Sequence, residues 1–195
     1  MAPRTKEQFE NIREEKKQLI FEAAFDLFAL EGYHSTSITK IAKRANTSKG
    51  LLYNYFESKE ALLLEILSSG LNEMMQLFDP NHDGILSEEE MLNFLSNLFE
   101  MLKTNNRYWR LYYAIFFQPT VFELINTQFA DIFTKMMKLL TDYFAHHGLQ
   151  EPEKEALVFG SLIDGIAFNY VMNPDLYPIE DIKDYIIHKF CYIKK

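Results

Sequence analysis

The chain has 195 residues, 48% of them hydrophobic and 15% aromatic, and a formal net charge of −8. That length and apolar content exclude a disordered chain and allow one large or two small packed domains. A single cysteine, Cys191, excludes an intramolecular disulfide and points to a reducing, cytoplasmic compartment; with no apolar segment after Met-Ala-Pro-Arg-Thr-Lys and no run near about 18 apolar residues, neither secretion nor membrane insertion is expected.

In chain order, residues 1 to about 15 are polar and mixed in charge. They read as an arm whose Arg4, Lys6 and Arg13 either reach a phosphate or are simply solvated. From Lys16 to Glu31, Leu19, Ile20, Ala23, Ala24, Leu27 and Phe28 form a helical stripe, and Gly32 ends it. The next stretch differs in charge. Between Ser35 and Phe56 stand Lys40, Lys43, Arg44 and Lys49 and no carboxylate, a cationic island on an acidic chain and a local site for a polyanion. Ser35, Thr36 and Ser37 are good N-caps, and Ile38, Ile41, Ala42 and Ala45 follow at helical spacing. Asn46 tolerates the left-handed conformation that ends a helix, and Thr47-Ser48 can cap a second one. There Leu52 and Phe56 share a face, as do Leu51 and Tyr55. Two short helices around a turn of about four residues form a helix-turn-helix; an ordinary hairpin with a solvated basic face fits the same pattern.

The run from Gly32 through Leu62 resembles the DNA-binding domain of the TetR (tetracycline repressor-like) family. Gly32-Tyr33, Thr36-Ser37-Ile38, Ile41-Ala42, Ala45, Ser48, Gly50, Leu52-Tyr53, Tyr55-Phe56, Ser58-Lys59 and Leu62 carry the resemblance, over about a quarter of the chain. Departures are Asn46 for glycine, Thr47 for an apolar residue, Leu51 for a small hydroxyl residue and Tyr55 for histidine. The resemblance implies an all-α fold: a three-helix DNA-binding domain at residues 1–58, and a helical-bundle domain for ligand binding and dimerisation at 59–195. It implies phosphate contacts from Thr36, Ser37, Tyr53 and Lys59, with Ser48 in the same surface and Lys49 and backbone amides helping. Base-edge contacts then fall to Lys49, Gly50, Asn54 and Tyr55, with Leu51 against a thymine methyl; core packing is the alternative for Leu51 and Tyr55.

After Lys59, Leu62, Leu63, Ile66, Leu67, Leu71, Met74, Met75 and Phe78 keep helical spacing for about twenty residues. The helix runs into Asp79-Pro-Asn-His-Asp-Gly-Ile-Leu-Ser-Glu-Glu-Glu90, which matches the EF-hand calcium loop at each specified position. Asp79, Asn81, Asp83, the Ile85 carbonyl, Ser87 and Glu90 stand where the Ca²⁺ ligands stand, and Gly84 makes the sharp turn. A common Asp-Gly turn followed by a capping box would read the same way, and such loops usually occur in pairs. The loop is not part of the TetR pattern.

Helix 88–104 carries Met91, Leu92, Leu95, Leu98, Phe99 and Leu102 on one side. Residues Tyr108 to Gln118 are apolar nearly all round and are expected to be buried. Pro119 marks a break, Val121 to His147 reads as helix interrupted near Asn126, and Gly148 stops it. The resemblance places an inducer pocket among these middle helices, which Trp109, Tyr112, Tyr113, Phe116 and Phe117 would line; the small molecule is unknown. The last helices span Pro152 to Met172 and Pro178 to about Ile193. Ala156, Gly160, Ser161, Ile163, Asp164, Gly165 and Ala167 give the first a small-residue face suited to close approach of another helix. By resemblance this pair forms a homodimer, matching a palindromic double-stranded operator.

His34, His82, His146, His147 and His188 show no metal-ligand spacing, and no phosphate loop or nucleophile motif is present, so an enzyme is not expected. The expected function is a ligand-responsive, DNA-binding transcriptional regulator, a dimeric repressor with Ca²⁺ as a candidate cofactor. The rival reading is a calcium-binding signalling or buffering protein, which leaves the basic island unexplained.

Overall fold

A computed structural model describes residues 6–192. Arg4 and the Lys6 side chain lie outside what it describes, as do both extreme ends of the expected domains. The described residues form ten α-helices with no strand among them: α1 (Lys6–Glu31), α2 (Ile38–Arg44), α3 (Lys49–Tyr53), α4 (Lys59–Phe78), α5 (Glu88–Thr104), α6 (Asn106–Phe116), α7 (Pro119–Gln128), α8 (Ala130–His146), α9 (Pro152–Met172) and α10 (Ile179–Cys191). Packing divides them into two units. One runs up to Ser69 and adds Ala114–Phe122; the other comprises Gly70–Tyr113 and the chain from Glu123 onward. The division falls inside α4, and in its first half Glu65 pairs with Lys17 of α1 at 2.6 Å.

In the first unit, Ile20, Ala23, Ala24, Leu27 and Phe28 of α1 are buried as their spacing requires, whereas Leu19 stays at the surface. Gly32 ends α1 at φ 87°, its N–H returning to the Phe28 carbonyl at 3.1 Å. Ile38, Ile41, Ala42, Ala45, Leu52 and Phe56 fill the helix-turn-helix core. An unforeseen contributor is Gln118, just before α7. Its Oε1 accepts from the Tyr33 N–H at 2.7 Å, and its Nε2 donates to the Phe28 and Ala114 carbonyls at 3.0 Å. One amide thus satisfies backbone groups that the end of α1 leaves open.

The second unit is built on α5, α8, α9 and α10, which bury Phe78, Met91, Phe94, Leu95, Phe99, Phe144, Phe159 and Phe190 in one core. The Tyr143 hydroxyl inside it donates to the Phe190 carbonyl at 2.8 Å. Gly70 lets α4 approach the ring of Tyr112: a Cβ there would stand 3.1 Å from Tyr112 Cε2. Three details depart from the sequence reading. The break in the 121–147 stretch falls at Phe129, not Asn126. The aromatic segment 108–118 is not buried all round, since Arg110 and Phe117 reach solvent. Helix α9 is long and apolar enough to cross a membrane, with mean hydropathy 1.3, although no such stretch was expected; Ala156, Phe159, Ile166 and Ala167 bury one side of it in the core.

Candidate functional site

The helix-turn-helix is assembled by its caps. Ser37, in extended backbone, accepts from the Lys40 N–H at 3.2 Å and opens α2; Ser48 accepts from the Leu51 N–H at 3.0 Å and opens α3. Between them Asn46 takes φ 49°, the left-handed turn that asparagine tolerates in place of glycine. Burial of Leu52 fixes the rotation of α3, and Ser48, Lys49, Gly50, Leu51, Tyr53 and Asn54 all face outward. Tyr55 is half-buried, with the Arg13 guanidinium 5.9 Å from its ring centroid. Around Gly50 a Cβ would meet nothing within 4 Å, so no contact among the described residues demands glycine there.

Two of the expected phosphate ligands have other duties. Thr36 is only 1% exposed, and its hydroxyl lies 2.9 Å from the Gly32 carbonyl and 3.2 Å from that of Leu27. It ties the end of α1 to the start of α2 and is closed to solvent. Lys59 donates to the carbonyls of Tyr33 (2.9 Å) and Thr36 (3.0 Å), with its ammonium 4.3 Å from the Tyr33 ring centroid. Burial holds this ammonium below the usual lysine range. Lys59 is therefore first a clamp on the loop between α1 and α2. The cationic island is also less basic than its sequence count: Lys40 pairs with Glu31 and Arg44 with Asp26, each at 2.5 Å. Both carboxylates come from α1, so the window from 35 to 56 does not contain them. Lys43 and Lys49 have no ion-pair partner among the described residues, and Lys49 sits 5.9 Å from the Tyr53 ring centroid. The outward surface that remains is Ser37, Lys43 and the α3 row, with exposed Tyr53 at its edge.

The loop at 79–90 keeps the turns its sequence calls for. His82 and Gly84 take φ 58° and 76°. The Asn81 Oδ1 accepts from the Asp83 N–H at 3.0 Å, and the Asp83 Oδ1 from the Ile85 N–H at 2.8 Å. Glu90 Oε2 accepts from the Ser87 N–H and hydroxyl at 2.9 and 2.8 Å, while Ser87 Oγ accepts from the Glu90 N–H at 3.2 Å, a complete capping box for α5. Asp79 differs from the other five. It is 0% exposed, and neither carboxylate oxygen has a hydrogen-bond partner among the described residues. The Lys135 ammonium of α8, which no motif singles out, stands 3.3 Å from Oδ2. The donor set is all oxygen and Asp79 has open lone pairs, which suits a hard cation. Yet no three His, Cys, Asp or Glu side chains are gathered into a metal-holding group among the described residues. Beside the loop, Ile85, Glu88, Asp142, Tyr143, His146 and His147 line part of a cleft of about 490 Å³. The His147 ring nitrogens there face the Tyr143 carbonyl at 2.8 Å and Glu88 Oε1 at 3.0 Å.

The aromatic set expected to line a pocket is divided between the two units. Trp109, Tyr112 and Tyr113 belong to the second unit, Phe116 and Phe117 to the first. Tyr112 is buried; Trp109 donates its Nε1 hydrogen to the Met101 carbonyl at 3.2 Å, and Tyr113 meets Phe168 edge to face at 5.7 Å. Burial pushes the Tyr113 phenol up to about 12 and Tyr112 higher still. Phe117 lies at the surface. On α9, Leu157, Val158, Leu162 and Met172 are exposed, and a Cβ at Gly160 or Gly165 would meet nothing within 4 Å. Among the described residues no neighbouring helix requires those two glycines.

Residues 20–66 match the family model described as bacterial regulatory proteins, tetR family, and residues 70–98 match that of the EF hand domain. Over 54 residues the chain is 57% identical to the uncharacterized HTH-type transcriptional regulator YuxN of Bacillus subtilis, a stretch that is 28% of this chain and 19% of that relative. It is similar in fold to NalD, the secondary repressor of the MexAB-OprM multidrug efflux pump in Pseudomonas aeruginosa. There the TM-score is 0.71 at 18% identity, over 91% of this chain and 94% of that one. It is likewise similar to FadR from Bacillus subtilis in complex with stearoyl-CoA, with TM-score 0.69 at 19% identity over 91% and 99% of the two chains.

Proposed function

We propose that this chain, with its TetR-type head and all-helical TetR-like fold, is a DNA-binding transcriptional regulator that acts as a cytoplasmic dimeric repressor released by a ligand. The observation that carries the reading is the outward row of α3: Lys49, Gly50, Leu51, Tyr53 and Asn54 stand clear of the core on a helix whose rotation Leu52 fixes. Such a row reads base edges, while Ser37, Lys43, Tyr53 and the third hydrogen of the Lys59 ammonium engage phosphates. The α9 face is the natural seam between two copies, because exposed leucines and glycines without intrachain neighbours let two helices approach closely. A two-fold dimer then presents its heads to half-sites roughly 34–36 Å apart. The ligand is an apolar small molecule held against Trp109, Tyr112 and Tyr113; FadR's stearoyl-CoA is one such molecule, in that protein. Catalysis has no place in this reading, and a calcium buffer would leave the α3 row without a use.

Capture from a genomic fragment library at moderate salt tests the function. Enrichment of a two-fold symmetric sequence is the expected result, with affinity falling steeply as salt rises. Binding that ignores sequence overturns the reading. A second reading, for the loop alone, rests on Asp79: Asp79, Asn81, Asp83, the Ile85 carbonyl, Ser87 and Glu90 hold one Ca²⁺, which engages the carboxylate oxygens that no hydrogen bond satisfies.

A further inference from the structure

We propose that a divalent cation and the Lys135 ammonium compete for the Asp79 carboxylate, so that metal binding at the 79–90 loop frees α8 from the end of α4. The inference rests on the calcium reading of the loop and goes beyond it, because it assigns a role to a residue outside the loop.

Among the loop's acidic groups Asp79 is the one that is buried without a hydrogen bond. Asp83 and Glu90 accept hydrogen bonds from loop backbone, and Asn81 does the same. Asp79 is fully buried with both oxygens outside any hydrogen bond among the described residues. A buried carboxylate without partners is costly, so its counter-charge matters. Lys135 supplies that charge poorly. Its ammonium is 3.3 Å from Oδ2 without hydrogen-bond geometry, so neither carboxylate oxygen receives a hydrogen bond from it. The Lys135 side chain is 50% exposed against 0% for Asp79, so the lysine reaches in from solvent and can return there at little desolvation cost.

A divalent ion brings twice the charge and gains several oxygen ligands from the same loop. It therefore displaces the lysine and does not share the carboxylate with it. Lys135 lies on α8, which carries Leu139, Leu140, Tyr143 and Phe144 into the core of the second unit. Exchange of the ion for the lysine would cut this ion pair between the first loop position and α8. Calcium would thus reset a helix contact as well as stiffen a loop.

Calorimetric titration of the full chain with CaCl₂ tests the exchange, using wild type, Lys135→Met, Lys135→Arg and Asp79→Asn. Removing the competitor should tighten Ca²⁺ binding by about tenfold in Lys135→Met and enlarge its calcium-induced rise in thermal midpoint. Arginine, whose fork can engage both carboxylate oxygens, should weaken binding; Asp79→Asn should abolish it. If wild type binds Ca²⁺ and Lys135→Met and Lys135→Arg bind equally well within twofold, the exchange is wrong while the calcium reading stands. Flat titrations for wild type and both Lys135 variants overturn the calcium reading and the exchange together. Should Lys135→Met fail to fold, Lys135→Arg decides the matter, since it keeps the charge.

Discussion

Thr36 and Tyr53 show how burial reassigns a residue's work. Both are hydroxyl side chains in the head, and both were expected at phosphates. Thr36 spends its hydrogen on carbonyls inside the protein, whereas Tyr53 is exposed beside Lys49. Thr36→Val should therefore cost about 1–2 kcal/mol of stability by leaving buried carbonyls short of a donor, with operator affinity unchanged once the protein is folded. Tyr53→Ala should leave stability within about 0.5 kcal/mol and weaken binding to all DNA sequences alike. Urea denaturation and gel shifts on operator and random DNA check both halves; the reverse pattern would return Thr36 to the interface. Lys59 belongs between these cases, because two of its three hydrogens hold the loop after α1.

At the scale of elements, α9 carries the most consequence. Its glycines are expensive in a helix and have no intrachain neighbour that needs them. In a monomer Gly160→Ala or Gly165→Ala would stabilise by up to about 1 kcal/mol through helix propensity alone. In a dimer sealed on this face the same methyl groups collide with the partner copy. We expect dimer dissociation to increase at least tenfold for Gly165→Ala and for Leu162→Glu, measured by sedimentation, with loss of operator binding in step. Unchanged dimerisation in both variants would move the interface elsewhere. The shorter helices follow a different rule: α2 and α3 are too short to hold alone, and serine caps and buried contacts keep them formed.

Across the whole molecule the charge is −8, so under the proposed function attraction to DNA has to come from the head and fall as salt is raised. Stability should also respond to alkali. Burial pushes the Cys191 thiol up to about 11 from an ordinary 9.0, with nearby Glu88 adding to the shift, and burial raises the Tyr143 phenol as well. The unfolded chain thus loses these protons before the folded one does. Their contribution is complete below about pH 9 and is lost as pH rises toward the folded values. Thermal midpoints should fall between pH 9 and 11, and Cys191→Ala should lessen that fall; an equal fall in the variant would remove the thiol from the account.

Local patterning made the helices legible: the caps at Ser37 and Ser48, the core of the helix-turn-helix, the span of α9 and the turn residues of the 79–90 loop all follow from neighbours in sequence. Spacing along a chain encodes those interactions directly. It did not reveal that Glu31 and Asp26 neutralise two of the island's four cations, that Thr36 is sealed inside, that Gln118 closes the end of α1, or that Lys135 faces Asp79. Each of these joins residues that are not neighbours in the chain, and charge, burial and hydrogen bonding depend on distance in space. The kind of site was written in short-range pattern; which of its atoms remain available was decided by the fold.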